Sequence, residues 1–191
     1  LKDLEKIKNF EKIKGIILSG GPSTVTKKKY PKIPKFLFEK DIPILGICYG
    51  LQLIAKSFGG QIKKLKKKRE FGEATLIEKS KSILLKNFFS NKKSSVWMSH
   101  QDAVFKIPKG FTNIASTDNS KYTVIQNERK KIFGLQFHPE VTHTKKGIKI
   151  IKNFVLGICK LKKNWILGIE KNRIINNLKN KIDNDRVICA L

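Results

Sequence analysis

The stretch Ile42-Pro43-Ile44-Leu45-Gly46-Ile47-Cys48-Tyr49-Gly50 constrains this chain more than any other. A short apolar run of strand character feeds G-x-C-x-G, and Leu51, Leu53, Ile54, Ala55 and Phe58 continue it with helical character. That is the layout of a nucleophile elbow. The reactive side chain sits on a strained strand-to-helix turn, and the glycines on either side let other backbone approach closely. A helix N-terminus beneath a thiol favours the thiolate, the form that attacks carbonyl carbon. A buried cysteine between two packing glycines has the same spelling, so the assignment turns on what else the chain carries.

Two further stretches decide it. Phe137-His138-Pro139-Glu140 closes the apolar run Ile132-Phe133-Gly134-Leu135-Gln136. A histidine at a strand end with a carboxylate two residues on can serve as a general base with an orienting partner. A cysteine and a histidine distant in sequence are what a cysteine nucleophile requires. Ser19-Gly20-Gly21-Pro22 follows the strand-like Gly15-Ile16-Ile17-Leu18, and a glycine-rich turn there can aim backbone N–H groups at a developing oxyanion. A phosphate loop is the competing reading, but no G-K-[ST] follows and Pro22 lacks a donor. His100, His138 and His143 fit no zinc spacing, so no metal site is expected.

At 191 residues the chain holds one sizeable α/β domain. Its apolar runs fall short of the roughly 20 residues of a membrane span, and residues 1–5 lack the apolar core of a signal peptide. The first residue is not Met, which leads us to expect a fragment. Cys48, Cys159 and Cys189 form an odd set without C-x-x-C, which points to reduced thiols and a cytoplasmic setting. The net charge of +26 by itself suggests nucleic acid or an anionic surface. However, the lysines are scattered from Lys2 to Lys181 and Arg, the preferred base reader, is scarce. The densest run, Lys63 to Arg69, has no interleaved aromatic for stacking bases and reads as a solvated loop. A basic nucleic-acid-binding protein is therefore the alternative reading.

In order, the chain gives a loose helical period over 4–13, the Gly15 strand, a short helix at Lys35–Glu39, the elbow strand and its helix, with Gly59-Gly60 as cap. Strand-like stretches follow at 75–77, 94–98, 123–126 and 132–137, then amphipathic helices at 147–159 and from Ile174 to Ile182. A final strand begins at Arg186. This alternation predicts an α/β fold, a doubly wound mixed sheet with helices on both faces and the site at strand C-terminal ends.

SGGP, GICYGLQ and FHPE resemble the class I glutamine amidotransferases. REFG at 69–72, VWMSHQD at 96–102 and FHPEVTHT at 137–144 are similar to the amidotransferase part of GMP synthases. The resemblance runs from about Gly15 to the C-terminus. It implies a first strand and helix upstream of residue 1, an amidotransferase domain over 1–160, a linker over 161–171, and over 172–191 the start of an ATP pyrophosphatase domain.

The resemblance also implies the site. Cys48 is the nucleophile, His138 the base and acid, and Glu140 its orienting partner. The backbone N–H groups of Gly21 and Tyr49 form the oxyanion hole, and Gln52, Ser99 and His100 bind L-glutamine. No cofactor is expected in this chain; ATP and Mg2+ belong to the synthetase domain that aminates XMP to GMP and through which a homodimer would form. An amidotransferase serving another synthetase would keep the same three catalytic residues, and an inactive scaffold would fold without using them.

Overall fold

The computed structural model describes residues 10–27, 29–65, 70–163, 167–183 and 185–188. The first compact unit covers Leu1–Leu161 and the second Lys162–Leu191.

The first unit is built on a mixed sheet. Its strands are β1 (Ile16–Leu18), β2 (Ile44–Ile47), β4 (Glu70–Glu78), β5 (Lys93–His100), β7 (Thr112–Ser116), β8 (Val124–Asn127) and β9 (Ile132–Leu135). They lie in the order β1-β2-β9-β8-β7-β4-β5. β1, β2 and β9 run parallel, and every pairing from β9 onward to β5 is antiparallel. A separate antiparallel ribbon pairs β3 (Gln61–Lys64) with β6 (Asp102–Lys106).

Helices cover both faces of the parallel part. Along β9, Ile132 packs with the cluster that holds Leu51 and Ile54 of α1 (Tyr49–Ser57), whereas Phe133 and Leu135 pack with Ile150 and Phe154 on the other face. This alternation is the period of two of a strand buried on both sides. Ile150 lies on α2 (Gly147–Lys152), and Phe154 on the π-helical turn Asn153–Ile158 that continues it. The regular helix expected over 147–159 thus changes its winding in its second half. Cys159 follows it, buried, with its Sγ filling the space where a Cβ on Gly15 would stand.

α1 ends where expected, with Gly59 at φ +84° in the left-handed conformation that follows a helix C-terminus. Pro34 precedes a short 3-10 turn over Lys35–Phe38. Strands β3, β6 and β7 were not anticipated. The reading of 63–69 as a solvated loop is corrected at its start: Lys63 and Lys64 lie in β3, where cross-strand hydrogen bonds to β6 hold them and Lys63 Nζ sits 3.7 Å over the Phe105 ring. Leu65 follows without regular structure, and residues 66–69 lie outside the described residues, as does most of the helical period over 4–13.

In the second unit, α3 spans Leu167–Ile182, so the helix starts within the stretch expected to be a linker. Asp183, at φ 47°, ends it. The final strand expected from Arg186 is not formed at its start, since residues 185–188 carry no regular structure, and Cys189 to Leu191 lie outside the described residues. Among the described residues no helix is long and apolar enough to cross a membrane.

Candidate functional site

β2 and β9 are parallel neighbours, so both end at the same edge of the sheet, the edge where open α/β sheets gather their sites. Cys48 stands at the end of β2 with φ 51° and ψ −104°, a conformation a non-glycine residue adopts only under constraint. Its N–H donates to the Leu135 carbonyl at 2.6 Å, and its own carbonyl accepts the first helical bond, from the Gln52 N–H at 3.2 Å. The sharp turn is possible because no side chain stands beside it. A Cβ on Gly46 would lie 2.6 Å from the Gly50 carbonyl carbon, and one on Gly50 would overlap the Leu18 carbonyl oxygen. The elbow of the sequence is therefore an elbow in space, and the spelling G-x-C-x-G follows from close backbone packing.

The end of β9 brings His138 to the same place. Its N–H donates to the Trp97 carbonyl at 3.1 Å. Its carbonyl accepts from Thr144 Oγ1 at 2.5 Å, and the same hydroxyl oxygen accepts from the Trp97 N–H at 3.1 Å. One buried threonine thus ties the histidine's backbone to β5. Nδ1 of the ring lies 2.7 Å from Glu140 Oε1, which leaves Nε2 for the thiol. The imidazole pKa is raised to about 9: the hydrogen bond to Cys48 is the main cause, burial opposes it, and the hydrogen bond to Glu140 adds to the rise. Cys48 and the His138–Glu140 pair, far apart in the chain, form a connected set.

The glycine-rich loop closes over them. A Cβ on Gly20 would lie 2.9 Å from His138 Cε1 and 3.7 Å from Cys48 Cβ, so the loop passes against both. Beyond it Gly21 and Tyr49 line a cleft of about 640 Å³, together with Cys48, Gln52, Ser99 and His138. Burial raises the pKa of the Tyr49 phenol; its hydroxyl has no hydrogen-bond partner among the described residues.

The opposite wall is the corner between β5 and β6. The Ser99 carbonyl lies 3.7 Å from Cys48 Sγ and accepts from the thiol. Gln52 Nε2 donates to the Asp102 carbonyl at 2.8 Å, which ties the elbow helix to this corner. His100 is on the wall, but its side chain is only 2% exposed and both ring nitrogens are engaged, Nδ1 at 3.1 Å from the Asp102 carbonyl and Nε2 at 2.9 Å from Glu70 Oε2. The ring therefore supports the wall, leaving the backbone to face a ligand. Gln101 is exposed at the rim. The His143 ring stacks beside Trp97, 4.3 Å between centroids, and does not line the cleft.

Several residues here escaped the sequence reading. Gln136 is fully buried, with Nε2 3.8 Å from Cys48 Sγ; a polar letter inside an otherwise apolar strand end was its only signal. Thr144 closes the HPEVTHT block yet has no chemistry of its own to advertise. Thr24 donates its hydroxyl to the Asp102 carboxylate, so the loop after Gly21 is tied to the far wall. Only the fold brings those two, 78 positions apart, together.

The family profile for glutamine amidotransferase class-I matches residues 2–158. A GMP synthase [glutamine-hydrolyzing] of Brachyspira hyodysenteriae is 45% identical over 188 residues, covering 98% of this chain and 36% of that protein. The protein of the same description from Thermosipho melanesiensis is 47% identical over 176 residues, covering 92% of this chain and 34% of that one. The chain thus spans about a third of the length of these relatives. Among solved structures, a Thermoplasma acidophilum protein described as one subunit of a GMP synthase superposes with a TM-score of 0.66 at 32% identity, covering 77% of this chain and 73% of that one. A glutamine amidotransferase from Thermotoga maritima gives a TM-score of 0.56 at 26% identity, covering 77% and 65%. With most of its length matched in both sequence and fold, the chain belongs to the class I glutamine amidotransferase family.

Proposed function

We propose that this chain hydrolyses glutamine and passes the ammonia to a synthetase that aminates ATP-activated XMP to GMP. The observation that carries the reading is the convergence in one cleft of Cys48, on its strained elbow, with His138, whose ring Glu140 holds. The relatives described as glutamine-hydrolysing GMP synthases supply the choice of acceptor.

The chemistry follows from the groups present. Glutamine lies in the cleft with its side-chain carboxamide over Cys48, between Gln52 and the Ser99–His100 wall. The Cys48 sulfur attacks the amide carbon as the thiolate, its proton held on His138 Nε2. The carbonyl oxygen takes up negative charge, which the N–H groups of Gly21 and Tyr49 stabilise; losing one such donor costs about 10²–10³ in rate. The carbon–nitrogen bond then breaks, His138 protonates the departing nitrogen, and ammonia leaves a γ-glutamyl thioester on Cys48. Water attacks the thioester with His138 as base, the carbon–sulfur bond breaks, and glutamate and the free thiol are restored. Glu140 keeps the ring in the tautomer that presents Nε2 and stabilises the imidazolium. This half-reaction draws on no cofactor. ATP and Mg2+ serve the synthetase part, through which the protein would also form a homodimer in the cytoplasm.

The test is glutamate and ammonia release from glutamine by the protein assembled with its synthetase part, with XMP and ATP present. Cys48→Ala abolishes glutamine-dependent GMP formation while added ammonium still supports it. A folded protein that releases no glutamate under these conditions refutes the reading.

A further inference from the structure

Two acidic side chains are buried among the described residues, Glu70 and Asp102. Glu70 is 5% exposed and its carboxylate bonds to none of the three groups assigned to the chemistry. A carboxylate withdrawn from water is costly unless its oxygens are fully engaged, and these are. Oε1 accepts from Thr117 Oγ1 at 2.6 Å and Oε2 lies 2.9 Å from His100 Nε2. The other ring nitrogen, Nδ1, lies 3.1 Å from the Asp102 carbonyl. A backbone carbonyl only accepts, so Nδ1 donates to Asp102, and a single proton joins Nε2 to the Glu70 oxygen.

The position of this ring matters because of where the backbone turns. β5 belongs to the seven-stranded sheet and β6 to the two-stranded ribbon, and Gln101 alone separates them. The chain changes sheets across this one residue, whose carbonyl accepts from the Leu65 N–H at 2.8 Å. Here two carbonyls at the change of sheet face the cleft: that of Ser99 takes the Cys48 thiol and that of Asp102 takes Gln52 Nε2. Glu70 stands directly across from His100 in the β4–β5 register, so it can lock the ring that holds the corner.

We infer that Glu70 is a positioning residue for the glutamine pocket, acting through His100 to set the Ser99–Asp102 backbone corner over Cys48. The inference rests on the glutaminase reading of the cleft. Glu70 orients one imidazole, and that imidazole fixes a carbonyl shared with Gln52.

Two reagents separate pocket placement from general loss of fold in the complete protein. 6-Diazo-5-oxo-L-norleucine reaches Cys48 as a glutamine analogue, whereas iodoacetamide is too small to need the pocket. Glu70→Ala raises KM for glutamine and slows labelling by the analogue about tenfold, kcat falls less, and iodoacetamide labelling stays within about twofold. Glu70→Gln recovers most of the loss, because its carbonyl accepts from Thr117 and its amide donates to Nε2 of a ring whose Nδ1–H still faces Asp102. If Glu70→Ala yields no soluble protein, Glu70→Asp, one methylene short of the ring, takes its place with the same direction expected. Unchanged KM and analogue labelling overturn the inference, as does equal slowing with both reagents or a Glu70→Gln no better than Glu70→Ala. An unsubstituted protein that neither hydrolyses glutamine nor reacts with the analogue refutes the glutaminase reading, and this inference falls with it.

Discussion

The carboxylate of Glu140 sits 2.7 Å from His138 Nδ1, two residues along the same loop, and this pairing fixes which nitrogen faces the thiol. Together with the Cys48 hydrogen bond, the largest contribution, it raises the imidazole pKa to about 9. In the proposed mechanism the protonated ring serves the departing ammonia. The glutaminase kcat/KM profile should therefore show an alkaline limb near pH 9, and Glu140→Gln should move that limb to lower pH. The stability term has the same sign: a raised pKa contributes fully below about 6.5 and is lost as pH rises through about 9. A limb that Glu140→Gln leaves in place would remove Glu140 from the assigned role.

The strain at Cys48 makes a separate prediction. At φ 51°, ψ −104°, any side chain costs backbone energy that glycine avoids. Both Cys48→Gly and Cys48→Ala should abolish glutamine hydrolysis, but the glycine variant should be more stable than the alanine one by about 1 kcal/mol. Urea unfolding of the two variants reads the difference, and equal midpoints would show that the turn is unstrained.

Gly50 admits no side chain. A Cβ there would press on the Leu18 carbonyl oxygen, a backbone atom that cannot rotate away. Gly50→Ala should destabilise the unit by about 3 kcal/mol, the upper end of ordinary overpacking, and displace β1 from the elbow. A thermal midpoint matching the unsubstituted protein would contradict the close packing.

Thr144 holds the backbone of His138 without taking part in the chemistry. Thr144→Val keeps the shape but leaves the Trp97 N–H and the His138 carbonyl each short of a partner, a cost of about 1–3 kcal/mol. kcat should fall with KM for glutamine nearly unchanged, since the histidine moves and the pocket wall does not. Thr144→Ser, which keeps the hydroxyl, should restore turnover. A change confined to KM would place Thr144 in binding instead.

The parts of the site legible in the sequence were those written in short contiguous words. The elbow, the SGGP turn and FHPE each combine a strand end, a glycine or proline and one reactive letter, and backbone sterics alone link those spellings to their turns. Strands β2 and β9 were legible because both faces of each are covered, so nearly every residue is apolar. β3 was hidden because an exposed ribbon strand, Gln61-Ile62-Lys63-Lys64, carries lysines as readily as a loop does. α3 began earlier than read because Leu167 to Glu170 has no strong stop or start signal beside Gly168.

Local chemistry was therefore readable from the letters alone: a nucleophile candidate at Cys48, a base candidate at His138, and strands alternating with helices around them. These follow from interactions within a few residues, where periodicity and turn sterics act. The pairings of Glu70 with His100 across β4 and β5, of Thr24 with Asp102, and of Thr144 with the His138 backbone came only with the folded chain. Those partners depend on strand register and loop path, which many weak, distant contacts settle together and no single stretch of sequence encodes.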